Sequence, residues 1–373
     1  MAKHRTFSFD RFLAKCEGHE EILRGYIRLW KSGLNLEISS LDLDGFRDLI
    51  LRQDWPDKDP FMEGLYRAYD MCTKDGHEAL RQACTSLKTH PDPKETLPVE
   101  LLSLKVLTKH ENAFNLAYAQ CTFHKAERFS IYQGKNGQSI KRIKQATHGL
   151  QQALAADFKG RKNSDRVLVL SYQEDGYANF IVYHEKRTQA LLTFKRARKT
   201  LRVSPTVLRP ARQDFISYNS KTGQVEIEAQ FEKEEDSLRR RFAECCLGDA
   251  GFFEGPEAAN RFKLGVIAED TFRVCADEPD KALLIELHFG LPQKHGPSFI
   301  VRSKNVVETL QMNGLKSKLR GDQIKRAVFK FTFGDDKRGK RVELTGTKTI
   351  SFKRATNAEK VFHYLRTWKI LVE

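Results

Sequence analysis

Apolar residues recur every three or four positions through the first 160 residues, which is the spacing of an amphipathic α-helix. Four segments show it, at 7–30, 40–53, 60–71 and 99–121, and Gly18 is a predicted break within the first. A fifth segment, 140–158, follows a glycine-containing loop and begins after Ser139, a residue type that caps helix N-termini. This part of the chain is therefore predicted to be helical.

From Arg166 the apolar residues alternate with polar ones, as they do in half-buried strands. Two pairs of alternating runs flank turn-type residues and predict β-hairpins, at 167–184 and at 215–229. Further strands are predicted at 282–289, 327–333 and 342–352. Helices are predicted at 232–247 and after Thr356 or Asn357. The sequence thus predicts an α+β fold, with a helical domain over 1–160 and a mixed, mainly antiparallel, strand-rich domain over 165–373.

Charge is distributed unevenly along the chain. The formal net charge is +15, made up of −3 over residues 1–100, +14 over 101–213, −7 over 214–300 and +11 over 301–373. Blocks of one sign indicate a partner that carries the other sign, although they say nothing about the fold.

The stretch 186–213 contains nine basic residues and no acidic one, and it ends just before Asp214. If residues 196–203 are extended, Arg196, Arg198, Thr200 and Arg202 share one face, while Leu201 and Val203 point the other way. A cationic strand face and a cationic hairpin tip near residue 338 can follow a phosphate backbone. The residues predicted to bind nucleic acid are Lys186, Arg187, Lys195, Arg196, Arg198, Lys199, Arg202, Arg209, Arg212, Lys337, Arg338, Lys340 and Arg341.

Several classes of protein are disfavoured. No apolar run approaches the roughly 18 residues that a membrane span needs, so no membrane partner is predicted. The seven cysteines are irregularly spaced and do not form a disulfide framework, which favours a reducing, cytoplasmic location. No zinc-finger, RNA-binding or basic-zipper signature is present, so DNA and RNA, and single and double strands, remain open alternatives.

An enzymatic alternative uses the carboxylates Asp214, Glu226 and Glu228, which flank the second predicted hairpin. Two or three converging carboxylates can hold the Mg²⁺ ion of a metal-dependent nuclease. This set resembles the acid–hairpin–acid-x-lysine arrangement of restriction-type nucleases, but position 228 is Glu where that motif has Lys. The same residues are also consistent with outward positions of an exposed hairpin.

Two Cys-x-x-His pairs, Cys16/His19 and Cys121/His124, have a spacing that places both side chains on one helix face. Two such helices meeting could build a zinc site, but buried cysteine is the commoner reason for such pairs. No metal and no cofactor is predicted, apart from Mg²⁺ under the nuclease alternative.

The leading expectation is a non-catalytic, nucleic-acid-binding subunit of a larger assembly, of the kind found in microbial genome defence. A second alternative is a protein-interaction scaffold or homo-oligomer, in which the cationic face meets an acidic partner such as the 214–300 segment of another copy.

Overall fold

The computed structural model describes residues 8–30, 42–52, 55, 57–89, 97–124, 126–160, 164–174, 176–197, 200–290, 296–334, 339–353 and 357–372, with the backbone alone at 51, 52, 124, 194–197, 200 and 201. The chain divides into two compact units, residues 1–125 and 126–373. The predicted α+β class is confirmed, with helices in the first unit and a large antiparallel sheet in the second.

The first unit is helical over its described residues. Its helices are α1 (Phe9–Ala14), α2 (Glu20–Arg28), α3 (Leu43–Arg52), α4 (Lys58–Asp70), α5 (Lys74–Ser86), α6 (Val99–Lys109) and α7 (Glu111–His124). The single helix predicted over 99–121 is interrupted at His110, whose backbone is not helical. Thr73 caps α5 by accepting a hydrogen bond from the Gly76 N–H at 2.9 Å.

Close packing in this unit centres on Tyr26, which is fully buried and donates a hydrogen bond to the Phe61 carbonyl at 2.7 Å. A Cβ atom on Gly64 would lie 1.9 Å from the Tyr26 hydroxyl oxygen. Glycine is therefore required at position 64 for α4 to approach α2 this closely.

The second unit is built on a ten-stranded sheet, counted over the described residues, in the order β2-β3-β6-β7-β1-β12-β11-β10-β8-β9. All of its neighbouring strands are antiparallel. The strands are β1 (Arg128–Gln133), β2 (Val167–Glu174), β3 (Tyr177–Glu185), β6 (Ala211–Asn219), β7 (Gln224–Glu228), β8 (Lys281–Gly290), β9 (Ser298–Arg302), β10 (Ile324–Thr332), β11 (Lys340–Thr345) and β12 (Thr349–Ser351). A separate two-stranded ribbon consists of β4 (Gln189–Ala197) and β5 (Thr200–Leu208).

Helices cover the sheet in two places. The helices of this unit are α8 (Ile143–Gly160), α9 (Glu232–Phe242), α10 (Val306–Met312) and α11 (Ala358–Thr367). Leu150 and Leu154 of α8 and Leu238 of α9 form one core with Phe180 and Ile216 of the sheet. At the other end of the sheet, Phe329 and Phe331 of β10 stack on Trp368, just after α11, at centroid distances of 5.2 and 5.5 Å.

The units meet at residue 125, not near residue 160 as the sequence predicts. Strand β1 lies between β7 and β12 inside the sheet, and α8 packs its apolar stripe on that same sheet. Both elements were predicted to belong to the helical domain. The helical spacing of apolar residues shows that α8 has an apolar face, but it does not show which part of the protein that face packs against.

Candidate nucleic-acid interface

The basic stretch forms the β4–β5 ribbon and the first residues of β6. Ala197 pairs with Thr200, so the chain reverses between them, and the register pairs Lys195 with Arg202 and Arg196 with Leu201. The prediction of one extended strand over 196–203, with positions 196 and 202 on one face, is therefore wrong. A charge pattern alone could not reveal a turn placed inside the basic run.

The nine predicted cations of this stretch have different environments. Arg187 and Arg202 are exposed, and Lys186 is half-buried. Arg209 is 47% exposed and lies 3.8 Å from Glu185. Only the backbone is described for Lys195 and Arg196, and Arg198 and Lys199 lie outside the described residues.

The ribbon also presents apolar side chains to solvent. Leu192, Val203 and Val207 are 77%, 57% and 67% exposed. The register pairs Leu192 with Pro205 and Ala190 with Val207, which places these residues on one ribbon face. Among the described residues, the ribbon pairs with no strand other than its own two. The exposed fractions of Leu192, Val203 and Val207 show that this face is open to solvent.

Arg212 is not a surface cation. Its guanidinium lies 2.9 Å from Asp214 Oδ1 and 3.0 Å from Glu234 Oε2, and it also donates to Gln230 Oε1 at 2.8 Å. The side chain is 12% exposed. Arg212 is thus committed to internal ion pairs, and it is not among the residues that we propose below to contact phosphate.

Asp214 is fully buried, and the Nε2 atom of His184 lies 2.9 Å from its Oδ2 atom. Burial alone lowers the pKa of His184, but the hydrogen bond and the charge of Asp214, with the nearby Glu234, outweigh burial and raise it above its usual value. Burial, with the charge of Asp214, raises the pKa of Glu234. Arg212 and His184 therefore balance the charges of the buried Asp214 and the half-buried Glu234.

The predicted nuclease carboxylates do not converge. Asp214 alternates with Ile216 and Tyr218, which belong to the core under α8 and α9. The register places Glu226 opposite Ser217 and Glu228 opposite Phe215, on the other face of the sheet. The grouping of Asp214, Glu226 and Glu228 around one Mg²⁺ ion is therefore wrong. A shift of one residue in the strand register moves a side chain to the opposite face of the sheet.

Glu228 is nevertheless unusual. Burial, together with the charge of Asp214, raises the pKa of this carboxyl to about 7, and hydrogen bonds from backbone N–H groups only partly oppose that. Its Oε2 atom is buried and accepts no hydrogen bond from any residue that the structure describes. At neutral pH a carboxyl in this setting is protonated to a much larger extent than an exposed one.

The side chains of His184, Asp214 and Glu234 each offer a ligand atom, and these atoms lie within 4.8 Å of one another. The Arg212 guanidinium contacts both carboxylates of that group. The positive charge of Arg212 thus already offsets the charge of these carboxylates, so the arrangement is that of an internal network of ion pairs.

The Cys-x-x-His pairs also fit structural roles. Cys16 is fully buried, donates its S–H to the Phe12 carbonyl at 3.4 Å and has its pKa raised to about 12 by burial, with Glu100 and Glu20 adding to it. The side chain of His124 lies outside the described residues.

The other basic block forms one face of the sheet over β8–β11. Antiparallel register places Arg302 opposite Glu286, Lys330 opposite Arg341, and Arg326 opposite His288. Directly opposite residues share a face, and Phe329 and Phe331, which alternate with these positions, face α11 instead. We call the charged side the arginine face; its described cations are Lys281, Arg302, Arg326, Lys330 and Arg341, and its described carboxylates are Glu286 and Glu343.

Arg302 and Arg341 are 67% and 54% exposed, and Lys281 and Lys330 are also exposed. Among the predicted residues of this block, Arg341 therefore lies on the arginine face. Lys340 lies on the opposite side, 5.9 Å from the Phe333 ring centroid, and Lys337 and Arg338 lie outside the described residues. Arg302, Arg326 and Lys330 were not among the predicted residues, although the alternation of Arg326, Val328 and Lys330 in the sequence could have indicated the last two.

Another polar network surrounds Glu235 at the start of α9. Its carboxylate accepts hydrogen bonds from Ser130 at 2.9 Å and from Lys348 at 2.8 Å, and also from the Tyr132 hydroxyl. Burial, with the hydrogen bond to Glu235, raises the pKa of Tyr132. Ser130, Glu235 and Lys348 line a cavity of about 200 Å³ together with Arg128 and Glu232, so the cavity lining carries both cations and carboxylates.

Among the described residues, no helix combines the length and the apolar character required to cross a bilayer. No protein-family model matches the chain, and neither does any curated protein. The geometry of the chain itself is therefore the basis of a functional assignment.

Proposed function

We propose that this protein binds nucleic acid through the phosphate backbone, without catalysing a reaction on it. The observation that carries the proposal is the arginine face, where five cations and two carboxylates share one side of strands β8–β11. An excess of exposed cations on one face attracts a polyanion. Backbone contacts of this kind fix affinity and orientation but carry no sequence information.

The β4–β5 ribbon supports the same function from a second place. Its segment contains no acidic residue, and the described side chains of Arg187 and Arg202 are exposed. A two-stranded ribbon is one of the elements that the major groove of a duplex admits. We assign the basic stretch 186–213 an accessory part, because its last cation, Arg212 in β6, is held in internal ion pairs.

The test is a salt titration of binding to fluorescent duplexes, comparing the wild-type chain with the Arg302→Ala/Arg341→Ala double variant. Each lost phosphate contact flattens the slope of log K against log salt by about 0.9, so the double variant is expected to lose about 2 from that slope. Arg240→Ala is the matched control, since Arg240 is an exposed cation of α9 and is not one of the residues that form the arginine face. An Arg196→Ala/Arg198→Ala/Arg202→Ala variant measures the share of the ribbon.

Absence of binding by the wild-type chain, even at low salt, would overturn the proposal. A salt-resistant homodimer without nucleic-acid affinity, measured by light scattering, would favour the interaction-scaffold alternative instead. Shortened product in the presence of Mg²⁺ would contradict the non-catalytic part.

A further inference from the structure

A buried carboxylate lies beneath the arginine face. Glu286 is 4% exposed, although it belongs to the side of the sheet on which cations outnumber carboxylates. Burying a carboxylate is unfavourable unless it is paired and hydrogen-bonded. It also lowers the positive potential that a polyanion would meet, so its presence requires a reason.

The contacts of Glu286 show what it holds. His288 Nε2 lies 2.7 Å from Oε1, Arg302 donates its Nε–H to Oε2 at 2.8 Å, and Arg341 Nη2 lies 3.5 Å from Oε2. Burial alone raises the pKa of this carboxyl, but the hydrogen bonds from His288 and Arg302 outweigh burial and hold it below its usual value. Glu286 is therefore ionised at neutral pH and fixes several cationic side chains at once.

The way in which Arg302 binds Glu286 is informative. It uses Nε, and its two terminal nitrogens make no hydrogen bond with a described residue. Arg341 contacts Glu286 and Glu343 only at 3.5 and 3.9 Å, through one terminal nitrogen. These are also the two most exposed arginines of the face, so each has N–H groups left for a ligand.

We infer that Glu286 is a positioning residue for phosphate binding, which holds Arg302 and Arg341 so that their remaining N–H groups meet phosphodiester oxygens of a nucleic-acid backbone. The inference rests on the proposed function and assigns its contact residues. Arginine presents planar, paired N–H donors that match a phosphate, and these donors are effective only when the side chain is already ordered. Ordering a free side chain on binding lowers affinity, and Glu286 removes that requirement.

Glu286→Gln separates this role from a purely electrostatic one, because the two predict opposite signs. If Glu286 only reduced the positive potential, its neutralisation would tighten binding. If Glu286 orders the arginines, the variant binds duplex more weakly, by at least about threefold at constant salt. Asp322→Asn is the matched control, since it also removes one negative charge, but from an exposed residue that pairs with Arg320.

A second variant keeps the test decisive if Glu286→Gln folds poorly. Arg302→Lys preserves the charge but not the planar donors, and Arg302 is largely exposed, so the fold is expected to tolerate it. We expect Arg302→Lys to weaken binding at least about threefold, and we expect a double-mutant cycle of Arg302→Lys with Glu286→Gln to be strongly non-additive. Fluorescence anisotropy with a 20-base-pair duplex measures affinity, and thermal unfolding confirms that each variant is folded.

The outcomes are distinguishable. A wild-type chain that binds no duplex refutes the proposed function. A wild-type chain that binds, with Glu286→Gln binding as tightly or more tightly and Arg302→Lys unchanged, refutes the positioning role and leaves the function standing. Weakening in both variants, with Asp322→Asn unchanged or slightly tighter, supports the inference.

Discussion

Arg212 and Asp214 lie two positions apart on one strand, and their side chains form an ion pair of 2.9 Å in the interior. In the sequence, Arg212 is the last cation of the acid-free stretch and Asp214 is the first acid after it. The fold pairs these two charges with each other. The basic stretch is therefore less cationic in space than it is along the chain, and its final arginine stabilises the fold.

Arg212→Ala is expected to destabilise the protein strongly. Removing the guanidinium leaves the fully buried Asp214 with His184 as its remaining described partner, and breaking a buried pair in this way costs about 3–5 kcal/mol. Arg209→Ala is the control, because Arg209 is 47% exposed and its contact with Glu185 is 3.8 Å long, so the change should cost under about 1 kcal/mol. Urea unfolding measures both, and equal stability of the two variants would contradict the network.

His184 is expected to titrate above its ordinary pKa. Since its folded pKa is raised, the stability it contributes is fully present below the unfolded pKa and is lost as pH rises through the folded value. NMR titration of the His184 ring should show the raised pKa in the wild-type chain and a lower one in Asp214→Asn. The resonance is assigned from its disappearance in His184→Gln, and an unchanged pKa in Asp214→Asn would show that the carboxylate has no such effect.

The hydrophobic periodicity of the sequence predicts the individual helices and strands well, but it does not predict how they assemble. The alternation in 167–184 predicts the hairpin of β2 and β3, and the apolar stripe of 140–158 predicts α8, because each pattern is set by local geometry. The place of α8 on the sheet depends on residues far along the chain, such as Phe180 and Ile216. The boundary between the two units near residue 125 therefore cannot be predicted from the hydrophobic periodicity.

The candidate site shows the same division. The local density of positive charge in the sequence indicates Arg341. Arg302 and Arg341 both contact Glu286, however, only because β9, β8, β10 and β11 are neighbours in the sheet. The error at Asp214, Glu226 and Glu228 has the related cause that the face of a residue depends on exact register. Composition cannot supply register, since a shift of one residue exchanges the two faces.

Glu228→Gln is expected to stabilise the protein above neutral pH. An acid whose folded pKa is about 7 binds more protons when folded than when unfolded, so stability falls as pH rises from about 4.5 through 7. The amide removes this dependence and should add about 1–2 kcal/mol at pH 8, less at pH 5. Thermal unfolding at both pH values measures the difference, with Glu232→Gln, an exposed carboxylate, as control. Parallel pH profiles for Glu228→Gln and the wild-type chain would contradict the raised pKa.

The arginine face is expected to prefer duplexes to single strands. Proteins that bind single strands stack unpaired bases on aromatic rings, with about 1–3 kcal/mol per base. The described residues that share the arginine face include cations, carboxylates, Thr345, Val328 and Ile300, but no Phe, Tyr or Trp. Such a face can contact phosphates but offers no ring to an unpaired base, and a duplex presents phosphates at higher density.

We therefore expect a 20-base-pair duplex to bind about tenfold or more tightly than an unstructured single strand of 20 nucleotides at 0.1 M salt, with little dependence on sequence. Phe299 provides the internal control, since its ring is 45% exposed at the edge strand β9 and stacks on Phe289 at 5.9 Å, outside the arginine face. Phe299→Ala should leave duplex affinity unchanged. Tighter binding of the single strand, lost in Phe299→Ala, would show instead that base stacking at this sheet edge governs recognition.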